Sequence, residues 1–145
     1  MIKKFKIFEE VENETTFFLN DLMIYYNKNQ TKIKKFIIDL LTPGKVVKFN
    51  YKYAYNKNTS TFLPINKEHI DIIYSIDECN IGYKGTLQNK ISQFVVLTIT
   101  LKNNIDIEYR IDVNLPFTVY GDITRKQKIV IDELNLIRKT NKFNL

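Results

Sequence analysis

From Lys45 to Leu115 the chain reads as one strand-forming segment after another, joined by short polar turns, with no stretch of helical period between them. That order leaves little choice of architecture. Parallel neighbours need crossover connections of a dozen residues or more, usually helices, so strands in direct succession pair antiparallel. Helical periodicity is confined to the residues before and after the series, which places helices on one face or end of the sheet. The expectation is one α+β domain spanning residues 1–145. It has an antiparallel sheet of about five to six strands, two helices in the N-terminal half and one C-terminal helix.

Residues 2–8 alternate as a first strand, and Glu9, Glu10, Glu12 and Glu14 follow. Acids favour the positive end of a helix dipole, so a helix is expected to begin between Asn13 and Thr16 and to end near Asn27. A second helix has Thr31 as its cap, Ile33, Phe36, Ile37, Leu40 and Leu41 on one stripe, and Pro43-Gly44 as its stop. Residues 45–56 alternate strictly, with Val47, Phe49, Tyr51, Tyr53 and Tyr55 on one side and Lys48, Asn50 and Lys52 on the other. A polar loop follows from Asn56 to Thr61. Ile70, Ile72, Tyr74 and Ile76 mark another strand. Asp77-Glu78 reads as a turn into a weaker strand through Ile81, Tyr83 and Leu87, where Gly82 and Gly85 suggest a bulge.

The hairpin from Phe94 to Leu115 carries its register in its side chains. A two-residue loop at Asn103-Asn104 sets Leu101 against Asp106 and Ile99 against Glu108. A three-residue loop, Lys102-Asn103-Asn104, pairs Leu101 with Ile105, Ile99 with Ile107, Leu97 with Tyr109 and Val95 with Ile111, giving one apolar face. The second register is expected. Pro116 ends this strand, Gly121-Asp122 offers a cap, and Ile123, Val130, Leu134 and Ile137 continue at helical spacing, although Lys128 to Asp132 also reads as a strand. Residues 139–145 read as a basic, frayed tail.

Few chemistries fit. The one cysteine, Cys79, allows neither an intrachain disulfide nor a cysteine-based zinc site. The one histidine, His69, lies ten residues from Cys79 across the expected turn, close enough for a dyad or a chance meeting. None of Ser60, Ser75 and Ser92 sits in a nucleophile elbow, and glycines at 44, 82, 85 and 121 cannot build a phosphate-cradling loop. Asp106, Glu108 and Asp112 share one strand face, and Glu108-Tyr-Arg110 imitates half of a nuclease motif. However, residues 88–104 hold no acid to complete it, so a solvated face is the simpler reading. No catalytic residue, metal or cofactor is expected.

No apolar run approaches the roughly 20 residues that cross a bilayer, and the N-terminus has no apolar core of a secretory signal. The lone thiol fits a reducing compartment. The chain reads as soluble and cytoplasmic, without membrane contact. Heavy use of Ile, Lys and Asn with scarce Ala is the usage of an AT-rich genome, such as some bacteria, phages and plasmids.

The net charge of +6 is unevenly spread, with basic ends and a slightly acidic middle. Lys28, Lys32 and Lys35 fall on one helix stripe, and Arg125, Lys126 and Lys128 open the last helix. The unusual feature is the aromatic strand. Phe49, Tyr51, Tyr53 and Tyr55 with Lys48 and Lys52 read as covered sheet, as a protein interface, or as a platform on which bases stack. The function expected is a non-catalytic protein-binding or structural module, such as a phage- or mobile-element-encoded virion component or inhibitor of a host factor. The alternative is a single-stranded nucleic-acid binder using Tyr51, Tyr53 and Tyr55 with the flanking lysines; the candidate binding residues overall are Phe49, Tyr51, Tyr53, Tyr55, Lys48, Lys52, Lys32, Lys35, Arg125 and Lys126. A small hydrolase or nuclease is a third reading, and a homo-oligomer stays open.

Overall fold

Among the residues that the computed structural model describes, 13–63, 68–85 and 91–143, the chain forms seven strands and three helices. The strands are β1 (Glu14–Phe17), β2 (Val46–Asn56), β3 (Thr61–Leu63), β4 (Glu68–Gly85), β5 (Ile91–Leu101), β6 (Asn104–Ile111) and β7 (Phe117–Tyr120). The helices are α1 (Asp21–Tyr25), α2 (Gln30–Leu40) and α3 (Arg125–Phe143). The strand expected at 2–8, the acids at 9, 10 and 12, and Leu87 lie outside the described residues.

All described pairings are antiparallel, and the sheet runs β1-β7-β2-β4-β5-β6. β6 also pairs back onto β2, closing β2, β4, β5 and β6 into a four-stranded barrel. β2 makes this possible by changing neighbours along its length. Its first half lies between β4 and β7, its second half between β3 and β6.

Several expectations need correction. Residues 14–17 are strand, not helix. Thr15, Thr16 and Phe17 pair with residues 117–119, and the Thr16 and Thr118 hydroxyls bond at 2.8 Å. β-Branched side chains favour that choice over the dipole argument. Asp77-Glu78 is no turn, because β4 runs straight through it for 18 residues. Neither residue takes the positive φ that a tight hairpin turn requires. The Asp77 carboxylate instead accepts from the hydroxyls of Ser75 and Thr100. The irregularities lie at Ile73/Ser75 and Ile76/Glu78, while Gly82 and Gly85 pair regularly.

The β5–β6 register is also shifted by two residues. Ile99 faces Tyr109, Leu101 faces Asn104, and a bulge separates the two pairs. A two-residue slip keeps every side chain on its face. The apolar face survives the correction, with Ile99, Leu101, Ile107, Tyr109 and Ile111 buried. Beyond Pro116 a short strand, β7, intervenes before the last helix.

The helix caps differ from expectation as well. Asn29, not Thr31, caps α2, its side chain accepting from the Lys32 amide at 3.1 Å. Gly44 follows the helix at φ +96°, where a side chain would be strained, and its amide donates to the Ile73 carbonyl. At α3 the cap is Thr124. Its hydroxyl accepts from the Gln127 amide at 3.1 Å while Gln127 Oε1 accepts from the Thr124 amide at 2.8 Å, a reciprocal capping box. Thr124→Ala should cost about 1 kcal/mol of stability by urea unfolding; no change would show the box to be idle. α3 then continues to Phe143, so residues 139–143 are helical.

α2 turns Ile33, Phe36, Ile37 and Leu40 toward the sheet and packs on β4, whereas α3 packs on α1 and β1. The core joins them through a chain of rings. Phe17 meets Phe36 edge-on and Phe117 at a tilt, and Phe117 stacks on Phe49 at 5.9 Å.

Candidate functional site

The aromatic strand does not present one ladder. Between Tyr51 and Tyr53 the pairing of β2 with β6 shifts by one residue, leaving Lys52 as an exposed bulge. An extra residue in a period-two strand sends every later side chain to the opposite face. Val47, Phe49 and Tyr51 therefore point into the core, and after the bulge Ala54 takes the inward place. Tyr53 and Tyr55 face outward. Phe49 is fully buried and Tyr51 is 7% exposed, so neither is open to a ligand.

What the bulge builds instead is an outer patch. Tyr53 and Tyr55 each lie 5.3 Å, centroid to centroid, from the ring of Phe62 on β3. Phe62 is 67% exposed, well beyond ordinary core leakage for a phenylalanine. Arg110 of β6 sets its guanidinium 4.8 Å above the Tyr53 ring and reaches to 4.0 Å from Glu78. These rings border a shallow depression of about 260 Å3, whose other walls include Asp77, Glu78, Thr98 and Glu108. Three carboxylates to one guanidinium make the patch acidic on a chain that is basic in total.

The lysines expected to accompany the rings do not. Lys48 is half-buried on the first half of β2, 3.9 Å from Glu68, and Lys52 is exposed on the bulge. The structure does bring Lys32 and Lys35 of α2 together with Lys126 of α3 across a groove. Arg125 is exposed outside that lining, and Lys28 sits in the α1–α2 turn at φ 63°.

The residues with catalytic precedent are separated or sealed. His69 and Cys79 lie ten residues apart on the same strand, β4, so the expected hairpin meeting does not occur. Ten residues of strand span roughly 30 Å. His69 is instead stacked on Tyr109 at 5.2 Å, near Phe49 and Tyr51, with Asp71 at 4.0 Å from its Nε2. Among the described residues that buried nitrogen has no hydrogen-bond partner. Burial pushes the Cys79 thiol up to about 11, against a smaller opposing pull from Lys34, so little thiolate exists at neutral pH. Burial, then Tyr51 and Asp71, likewise raises the Tyr109 hydroxyl. Among the described residues no cluster of His, Cys, Asp and Glu is arranged to hold a metal ion, and no helix is long and apolar enough to cross a membrane.

Sequence reasoning missed Phe62 as the centre of the patch. Its only signal was a large apolar residue directly after the polar run Asn56 to Thr61. No protein-family model matches the chain, and neither curated proteins nor solved structures include a match to it.

Proposed function

We infer that this chain is a non-catalytic protein-binding module, and that it engages a partner through Tyr53, Tyr55 and Phe62. The observation that carries this reading is Phe62, two-thirds exposed at 67% and flanked by two partly open tyrosines. Tyrosine and arginine are enriched among the few residues that dominate protein interfaces; tyrosine buries large area at low entropic cost while keeping a polar tip, and arginine stacks on rings while holding carboxylates. Tyr53, Tyr55, Phe62 and Arg110 form that kind of cluster. Asp77, Glu78 and Glu108 beside it favour a partner segment bearing lysine or arginine.

The same carboxylates weigh against a nucleic-acid strand on this face. Phosphates following the bases would meet three acids and one arginine. The stacking platform also loses Phe49 and Tyr51 to the core.

Phe62→Asp tests the reading. Phe62 is exposed but packs on Tyr53 and Tyr55, so the substitution should cost about 1 kcal/mol and leave the fold populated. A tagged wild-type chain, recovered from native-host extract after nuclease treatment, should retain a stoichiometric protein partner that Phe62→Asp loses. A partner that persists with Phe62→Asp, or that disappears after nuclease alone, would overturn it.

A further inference from the structure

A second surface, sharing no residue with the aromatic patch, lies between α2 and the first turns of α3. It is an open groove of about 610 Å3. Tyr26, Phe36 and Val130 give it an apolar lining, and exposed Lys32, Lys35 and Lys126 stand along it. Its two walls are tied together, for Gln127 of α3 donates from Nε2 to the Asp39 carbonyl of α2 at 3.3 Å. Gln127 is itself held by the capping box, so the groove is built into the fold instead of being a gap between loose helices.

The charges along it are only partly answered. Lys35 pairs with Asp39 at 3.0 Å, whereas Lys32 and Lys126 make no ion pair among the described residues. α3 opens with no acid in its first turn, leaving Lys126 at the end of a helix dipole that repels cations. Carboxylates from outside would answer both.

We propose that this groove seats an acidic amphipathic segment of a protein partner. Apolar side chains at helical spacing would lie on the half-buried Tyr26 and Val130, with the buried Phe36 ring beneath them, and flanking carboxylates would meet Lys32 and Lys126. A nucleic-acid strand suits it less. Asp39 lies within it, and the Tyr26 ring is packed against Tyr25 and Phe36 instead of standing free for a base. The chain then carries two docking surfaces of opposite sign, one for a basic segment and one for an acidic segment.

The probe is a fluorescein-labelled synthetic peptide of Glu and Leu, with Leu at helical spacing, followed by anisotropy at physiological salt. Comparison peptides carry Ser in place of Leu or Lys in place of Glu, and oligo(dT) is titrated beside them. The Glu/Leu peptide should bind saturably, and the Ser and Lys versions should be weaker by on the order of tenfold or more. The double variant Lys32→Glu, Lys126→Glu, checked for an unchanged melting curve, should weaken the Glu/Leu peptide similarly. Phe62→Asp should leave this binding untouched, so failure of the groove and failure of the aromatic patch show separately. Equal affinity for the Ser peptide would reduce the effect to non-specific charge attraction and overturn the proposal. So would tighter binding of oligo(dT) that the double variant abolishes. Self-association of the wild type in sedimentation, lost in both the lysine variant and Phe62→Asp, would make a second copy the occupant and also overturn it.

Discussion

Phe49→Ala should lower the free energy of unfolding by about 3–5 kcal/mol, the range for deleting a fully buried phenylalanine. The ring is completely enclosed and touches three others, stacking on Phe117 at 5.9 Å and meeting Tyr109 and His69 edge-on. It stands where the barrel meets the β7 extension, so its loss opens a cavity shared by both, and neither side can relax alone into it. Urea unfolding would show the loss as a lower midpoint at unchanged slope. Tyr53→Ala, only four positions along the same strand, should cost far less, because its ring faces solvent. Near-equal losses at the two sites would mean that the bulge after Tyr51 does not exist in solution.

Arg138→Ala should cost about 2–3 kcal/mol. Asp21 is buried, and the arginine grips it bidentately, Nε to Oδ2 at 2.8 Å and Nη2 to Oδ1 at 3.1 Å. The guanidinium also lies 3.4 Å above the Phe18 ring. Removing one partner of a buried pair leaves a carboxylate without compensation, typically at about 3–5 kcal/mol. Here the arginine side chain is 43% exposed, so water enters and the lower figure applies. Arg138→Lys should recover part of the loss but not the two-pronged geometry. The double variant Asp21→Asn, Arg138→Ala should be more stable than Arg138→Ala alone, since no orphaned charge remains. A double variant no better than the single would show that Arg138 acts by covering Phe18 and not by its charge.

Much of the architecture was legible because it rests on patterns with period two or 3.6. Strand segments in direct succession from Lys45 to Leu115, joined by short turns, imply the antiparallel sheet, and the stripe Ile33, Phe36, Ile37, Leu40 marks α2. Errors arose where a single residue decides between alternatives that local sequence leaves nearly equal. Thr15 and Thr16 become strand only because residues 117–119 lie beside them, a partner about a hundred positions away. The Lys52 bulge leaves no mark in the alternation, yet it separates Tyr51 from Tyr53. The candidate site therefore read as four rings with lysines, while the structure presents two of those rings, Phe62 and three acids. The pairing of Lys32 and Lys35 with Lys126 was half visible: each helix showed its own basic face, but no sequence pattern shows which faces meet.

β2 has a consequence for how this protein is made. Its partners are spread over the chain: β4 from residue 68, β6 from residue 104 and β7 from residue 117. During synthesis, β2 emerges long before two of its four neighbours exist. Until they do, the buried side chains of Val47, Phe49 and Tyr51 sit on a ribbon with one bare edge. Such a nascent edge pairs readily with other chains. Folding should accordingly be slow for a domain of this size, because closure waits on contacts distant in sequence. Truncation before Phe117 should therefore leave a chain prone to aggregate, not a smaller folded protein, a difference that light scattering would show.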